Sequence, residues 1–297
     1  MHPRHIILAV LVTIIWGFNF IFVHFGLDEL PPLTLCALRF LMASVPLVFF
    51  IKRPNISWSL LMLYSFLTFA LQFAFLFIGM KAGVAPGLTS LLAQTQVFFS
   101  FFFAALFLGE RLTYWQIIGA SLAFTGLLVV AEHLGGVDIT GSGFVWILLA
   151  SMAWGAGNSC VKKMGGSQGL SLIVWASFLA FPPLLMASCL FDGAATIVTS
   201  LSNITWRGAS AVMYIAYGST WIGYGIWAWL LSIYSVGTVV PFTLLVPIFG
   251  MFASSIMFGE GLPAWKLMAA VFIMLGLVVH LFGRRLPILF KQLRHSL

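Results

Sequence analysis

Gly109-Glu110-Arg111-Leu112, with Trp115 after it, recurs as Gly259-Glu260-Gly261-Leu262 with Trp265, each position shifted by 150. At the same offset Gly126-Leu127 returns as Gly276-Leu277. Closer to the start of each half, Trp16-Gly17 with Asn19 returns as Trp154-Gly155 with Asn158, at an offset of about 138. The two halves are therefore copies that differ by insertions between these anchors. The surrounding composition shows what kind of unit is copied. Of 297 residues, 62% are apolar and 7% charged, where a soluble globular protein carries roughly 25% charge. So few charges could not keep a soluble domain of this size solvated, and its apolar patches would associate. Chains that stay disordered are polar and charged, which excludes that class too. The chain reads as an integral membrane protein.

A membrane-crossing helix needs about 20 apolar residues. Ten stretches meet that length: 6–25, 33–51, 58–80, 86–108, 114–131, 141–161, 170–191, 209–232, 237–258 and 264–283. Each is too long and too uniformly apolar for a barrel strand, and helices satisfy their own backbone in hydrocarbon. The first run, preceded by Arg4, exceeds the apolar core of a typical cleavable signal and reads as a span that stays in place. Loop signals separate the rest, with Asp28-Glu29 and Pro31-Pro32 after the first, Lys52-Arg53-Pro54 after the second, and Gly135-Gly136 with Asp138 at mid-chain.

Each copy holds five spans, an odd number, so the second must enter the membrane from the opposite side. The expected fold is an all-α polytopic membrane protein, ten transmembrane helices in two inverted five-helix repeats. The expected division is 1–135, 136–284 and a basic tail at 285–297. Inverted repeats are characteristic of secondary transporters, whose halves move about a site near the midplane. With the N-terminus placed in the cytoplasm, the inner side holds ten basic residues: Arg4, Lys52, Arg53, Arg111, Lys162, Lys163, Arg284, Arg285, Lys291 and Arg294. The outer side holds three, Lys81, Arg207 and Lys266. The bias places both termini in the cytoplasm.

The net charge of +7 is too dispersed to track a phosphate backbone, so no nucleic-acid partner is expected. Cys36, Cys160 and Cys189 sit in apolar runs without metal-ligand or disulfide spacing, and neither a metal nor another cofactor is expected. The expected partners are a small-molecule substrate and the lipid bilayer.

The Trp-Gly-x-Asn opening, Leu38-Arg39-Phe40, and Gly-Glu-x-Leu after spans 4 and 9 resemble the drug/metabolite transporter superfamily, in its ten-span branch with two EamA-type domains. The resemblance covers nearly the whole chain. Pro31-Pro32-Leu33, Gln72 to Phe77, Gln94-Thr95-Gln96, Gly223 to Trp227 and Leu245-Val246-Pro247 narrow it toward the bacterial exporters of cysteine and O-acetylserine. That resemblance implies export of small amino acids and related metabolites across a bacterial inner membrane.

Polar side chains inside spans are costly and so become candidates for function. Arg39 is the one full charge deep in an apolar run. It suits a substrate carboxylate, or, about six residues from its span's outer end, a structural bond to helix-end carbonyls. Ser65, Thr68 and Gln72 share one helical face. Gln94 and Gln96 point apart on an α-helix, so one is expected to line a cavity, with Gln94 favoured. Asn19 and Asn158 occupy equivalent places in the two copies and suit binding or a bond between halves. Tyr217, Thr220, Tyr224 and Trp227 form one stripe among Gly218, Gly223 and Gly225. The candidate substrate-binding residues are thus Asn19, Arg39, Gln72, Gln94, Asn158, Tyr217, Tyr224 and Trp227.

Pro241 and Pro247 in span 9, and Pro182-Pro183 in span 7, mark expected helix breaks. The glycines Gly79, Gly83 and Gly87 are expected to allow close packing of one turn. His24 and His280 are expected at the membrane interface. All seven acidic residues fall in loops or at span ends, which disfavours a buried carboxylate proton relay and favours facilitated export or exchange. The alternatives are a broader exporter of drugs, nucleobases or other metabolites, a channel, and a membrane enzyme. No ring of like charge supports the channel, and no hydrolase or protease motif supports the enzyme.

Overall fold

The computed structural model describes residues 1–164, 169–234 and 236–283. Within them, nine helices are long and apolar enough to cross a membrane. They are α1 (Pro3–Glu29), α2 (Pro32–Phe49), α3 (Trp58–Lys81), α4 (Pro86–Leu108), α5 (Tyr114–Ala131), α6 (Gly141–Lys163), α7 (Gly169–Ser202), α9 (Val240–Phe258) and α10 (Ala264–Phe282). Between α7 and α9, residues 206–233 form a further continuous helical segment, α8. Its tryptophans, tyrosines, glycines and Arg207 make it the least apolar of the ten, although its length is sufficient. Arg284, Arg285, Lys291 and Arg294, and with them the tail 285–297, lie outside the described residues.

The residues of the repeat shape the same turns in both copies. Gly109 ends α4 at φ 67° and Gly259 ends α9 at φ 67°. This left-handed cap is the conformation that glycine adopts without a Cβ penalty. Gly276 lies on the α5–α10 seam, where a Cβ on it or on Gly119 would stand 2.5 Å from the other's carbonyl oxygen. A Cβ on Gly126, across the same seam, would stand 2.8 Å from Ile273. In lipid, where burial from water does not drive helices together, such backbone approach is what gains van der Waals contact. Gly79 and Gly87 behave as expected, the first under Ile147 and the second under Glu260.

Packing follows a twofold exchange of the copies. Span pairs α5–α10, α2–α7 and α4–α9 each join a helix to its own counterpart. The α1–α9 and α6–α4 pairs exchange with one another, as do α3–α6 and α8–α1. This is the pattern that two inverted repeats produce.

Two kinds of break interrupt the helices at matching places. Ser65–Leu71 in α3 and Tyr214–Gly223 in α8 wind as π-helix, about 150 positions apart by the shared offset of the repeat. Ala93–Thr95 in α4 and Val240–Leu244 in α9 wind as 3-10 helix. Pro241 accompanies the break in α9, as expected, but α4 breaks without a proline. In α7, Pro182 and Pro183 lie inside a continuous α-helix, which instead turns π-helical at Cys189–Gly193.

The two ends of the bundle differ. At the end where α1 stops and α10 starts, Lys266 is fully buried, and its Nζ lies 2.9 Å from Asp138 Oδ2, Glu260 Oε1 and the Gly261 carbonyl. Glu260 accepts from the Gly87 amide at 3.0 Å and from Ser254 Oγ. One charge network thus ties the α9–α10 turn to the start of α4 and the α5–α6 connection. At the opposite end the equivalent Glu110 makes a half-exposed ion pair with Lys162. His280 lies near the end of α10, beside the start of α5. It is 6% exposed, its Nδ1 is 3.1 Å from the Gln116 carbonyl, and its ring packs on Phe98 and Phe101. His24 stays partly exposed near Asp28.

Candidate functional site

A cavity of about 510 Å³ lies between the two copies, within the usual size range for small-molecule sites. Its walls come from both halves: Trp16 and Asn19 of α1, Arg39 of α2, Thr68 and Gln72 of α3, Gln94 and Gln96 of α4, Asn158 of α6, and Tyr224 and Trp227 of α8. Toward the end where α1 starts and α10 stops it reaches Val161, Gly169 and Leu281. None of the residues of the Lys266 network lines it.

The four breaks that match between the copies border this cavity, which explains both its position and its polarity. A π-turn or 3-10 turn changes which side chains share a face. Gln94 and Gln96 both line the cavity, against the expectation that one of them would face away. On a regular α-helix these two stand about 160° apart. The tighter winding of Ala93–Thr95 brings them closer. The π-winding of Tyr214–Gly223 acts in the opposite sense on the stripe in α8. Tyr224 and Trp227 face the cavity, while Tyr217 turns away to pack on Trp221 at 4.6 Å. Thr220 is buried beside Arg39 and donates to the Ile215 carbonyl at 2.9 Å.

Ser65 also leaves the predicted face, its hydroxyl donating to the Ala176 carbonyl at 2.6 Å. The paired asparagines have separate roles. Asn158 Nδ2 donates to Gln96 Oε1 at 3.1 Å and Ser100 Oγ at 2.9 Å, a bond between the copies. Asn19 Oδ1 is buried and finds no partner among the described residues.

Arg39 is 2% exposed, and none of its hydrogen bonds among the described residues goes to a helix-end carbonyl. Its Nη2 reaches Thr220 Oγ1 at a long 3.4 Å, and Nε and Nη1 have no partner among the described residues. The guanidinium lies 4.1 Å from the Phe73 ring centre and 5.4 Å from that of Phe40, a cation–π support that leaves its hydrogen-bond edge unused. No Asp or Glu lines the cavity, and no cluster of metal-ligating side chains occurs among the described residues.

Of the aromatic frame, Tyr224 and Trp227 were expected, whereas Trp16 and Trp154 were passed over. Trp16 lies against Tyr224 and Trp227 at 5.2 and 5.1 Å, and its Nε1 donates to the Ser219 carbonyl at 3.2 Å. Gly223 makes room for it, since a Cβ there would stand 2.6 Å from that nitrogen. Trp154, its counterpart in the second copy, lines the cavity as well. The signal was present in the repeat, where both tryptophans served only as anchors of alignment.

Comparison with known proteins agrees with this architecture. Residues 3–131 and 141–282 each match the EamA-like transporter family. A protein of Escherichia coli K12 named "Probable amino-acid metabolite efflux pump" is 38% identical over 94% of this chain and 95% of its own length. Its namesake in Salmonella typhimurium LT2 is 40% identical over the same shares. A solved crystal structure at 16% identity covers 96% of this chain and 99% of its own with a TM-score of 0.62, and shares the fold.

Proposed function

Because the chain belongs to the EamA-like transporter family, we propose that it exports small amino acids and related metabolites, cysteine and O-acetylserine among them, across a bacterial inner membrane. The two relatives named as amino-acid metabolite efflux pumps support this substrate class. The observation that carries the reading is a cavity without carboxylates, rich in hydrogen-bonding side chains, between two inverted copies, with the buried Lys266 charge network beyond its lining at one end and an extension toward the other. That is the form of a carrier caught in one of its two access states.

With both termini in the cytoplasm, the extended end faces the cytoplasm and takes substrate from inside. Asn19, Gln72, Gln94 and Asn158 meet its polar groups, and Trp16, Tyr224 and Trp227 hold its body. The copies, taken as 1–135 and 136–284, then rock so that the Lys266 network opens and the Glu110 end closes. The pseudo-twofold makes the two states near-equivalent arrangements of one packing. Net-neutral zwitterions fit such walls better than sugar phosphates or nucleotides, which would call for several basic side chains.

Counterflow tests the proposal. Proteoliposomes preloaded with unlabelled O-acetylserine or cysteine should accumulate the labelled compound transiently, because a carrier returns loaded. Uptake that ignores preloading would identify a channel, and absence of uptake for amino acids as a class would refute the substrate reading.

A further inference from the structure

Most polar atoms in the bundle are bonded to one another, and those that are not concentrate at the cavity. Arg39 Nε and Nη1, Asn19 Oδ1, Gln72 Oε1 and Thr68 Oγ1 are buried without a partner among the described residues, and all five belong to cavity-lining side chains. They are of two kinds. Arg39 offers charged donors only, since a guanidinium accepts nothing. The other three offer neutral oxygens that can accept.

We propose that Arg39 is the carboxylate anchor of this cavity, and that the carrier selects ligands by their carboxylate, with a nearby ammonium received by the free oxygens of Asn19, Gln72 and Thr68. The inference rests on the exporter reading above and assigns the chemistry that reading leaves open. A buried guanidinium without an anion is unfavourable, and the protein supplies none: no Asp or Glu lines the cavity among the described residues. The rings of Phe73 and Phe40 fix the group without using its N–H edge. A guanidinium edge matches a carboxylate through two parallel hydrogen bonds. A zwitterion then leaves the walls compensated, because its carboxylate neutralises Arg39 and its ammonium falls to neutral acceptors. An amine lacking a carboxylate adds a second positive charge beside the first. A carboxylic acid lacking the amine loses only hydrogen bonds to neutral oxygens.

The order of preference is therefore amino acid, then acid, then ester or amine. In proteoliposomes of the full chain, 3-mercaptopropionate should compete with labelled cysteine, whereas cysteine methyl ester and cysteamine should compete at least about tenfold less well, the weight of a hydrogen bond to a charged group. Arg39→Gln should raise the half-saturating cysteine concentration about 10- to 100-fold. It should also reduce the preference for cysteine over its methyl ester to near unity. Arg39→Lys, which keeps the charge and loses the fork, should keep part of that preference.

Abundance and gel-filtration profile of both variants establish that they fold. A folded Arg39→Gln protein that still prefers the acid to the ester overturns the proposal. If the wild-type protein moves no amino acid, the exporter reading fails separately. Thermal stabilisation by 3-mercaptopropionate against cysteamine then decides the anchor without transport. An acid-specific, Arg39-dependent shift supports it, and equal or absent shifts overturn it.

Discussion

Replacing Lys266 with Met is the perturbation with the clearest energetic consequence. The Lys266 ammonium is wholly buried and sits 2.9 Å from two carboxylates and 2.9 Å from a carbonyl. Asp138 keeps 22% of its side-chain surface in solvent and can rehydrate when the partner goes, but Glu260 keeps only 3%. Removal of the ammonium leaves the Glu260 carboxylate with the Gly87 amide and the Ser254 hydroxyl as its donors and no compensating charge. Breaking a buried pair in this way costs about 3–5 kcal/mol. Glu260→Gln alone strands the ammonium less severely, because Asp138 remains. The amide oxygen that this substitution introduces can still accept from Gly87 and Ser254. The double variant Lys266→Met with Glu260→Gln removes both charges, so it should be more stable than the sum of the two single losses by about 0.5–3 kcal/mol. Thermal unfolding of the purified protein in detergent, followed by tryptophan fluorescence, reads all three. A wild-type midpoint for Lys266→Met, or additive losses in the double variant, would refute the assignment of this network as a buried, coupled unit.

Other consequences are as direct. Gln72→Ala and Tyr224→Ala should each impair transport while protein abundance stays unchanged, measured by counterflow and immunoblot; normal transport by both would displace the substrate from the cavity described. Proteoliposomes should move cysteine or O-acetylserine without an imposed proton gradient, since no carboxylate lines the cavity, and strict dependence on the gradient would contradict an uncoupled carrier. Gly119→Val should abolish accumulation of folded protein, because a Cβ at that position already meets the Gly276 carbonyl at 2.5 Å; normal abundance would show that α5 and α10 separate at little cost. Ser65→Ala removes the donor to the buried Ala176 carbonyl and should lower stability by about 1 kcal/mol without changing the half-saturating substrate concentration.

The architecture was largely legible because membrane burial leaves a strong record in composition. Long apolar runs mark each span, and a signature with Gly109 and Gly259 at equivalent turns marks the repeat; their identical left-handed caps show why glycine stands there. The residues near the site were legible as a set but not in their directions. Asn19, Arg39, Gln72, Gln94, Asn158, Tyr224 and Trp227 all reach one cavity, while Tyr217 does not and Gln96 does. The misplaced residues sit in or beside a π or 3-10 segment, where the assumption of constant angular spacing fails.

Sequence by itself determined the membrane class, the number and approximate bounds of the spans, the inverted duplication and the absence of carboxylates from the apolar runs. These depend on local quantities: transfer of side chains out of water, run length against bilayer thickness, and glycine's freedom at a turn. Tertiary structure alone decided which unpartnered groups line the cavity, that Arg39 keeps donors to spare, and that Lys266, Glu260 and Asp138 meet in one buried network. Arg39 meets Thr220 across 181 positions and Lys266 meets Asp138 across 128, and helix winding at the four breaks sets the angles around the cavity. Local apolar periodicity carries no record of either.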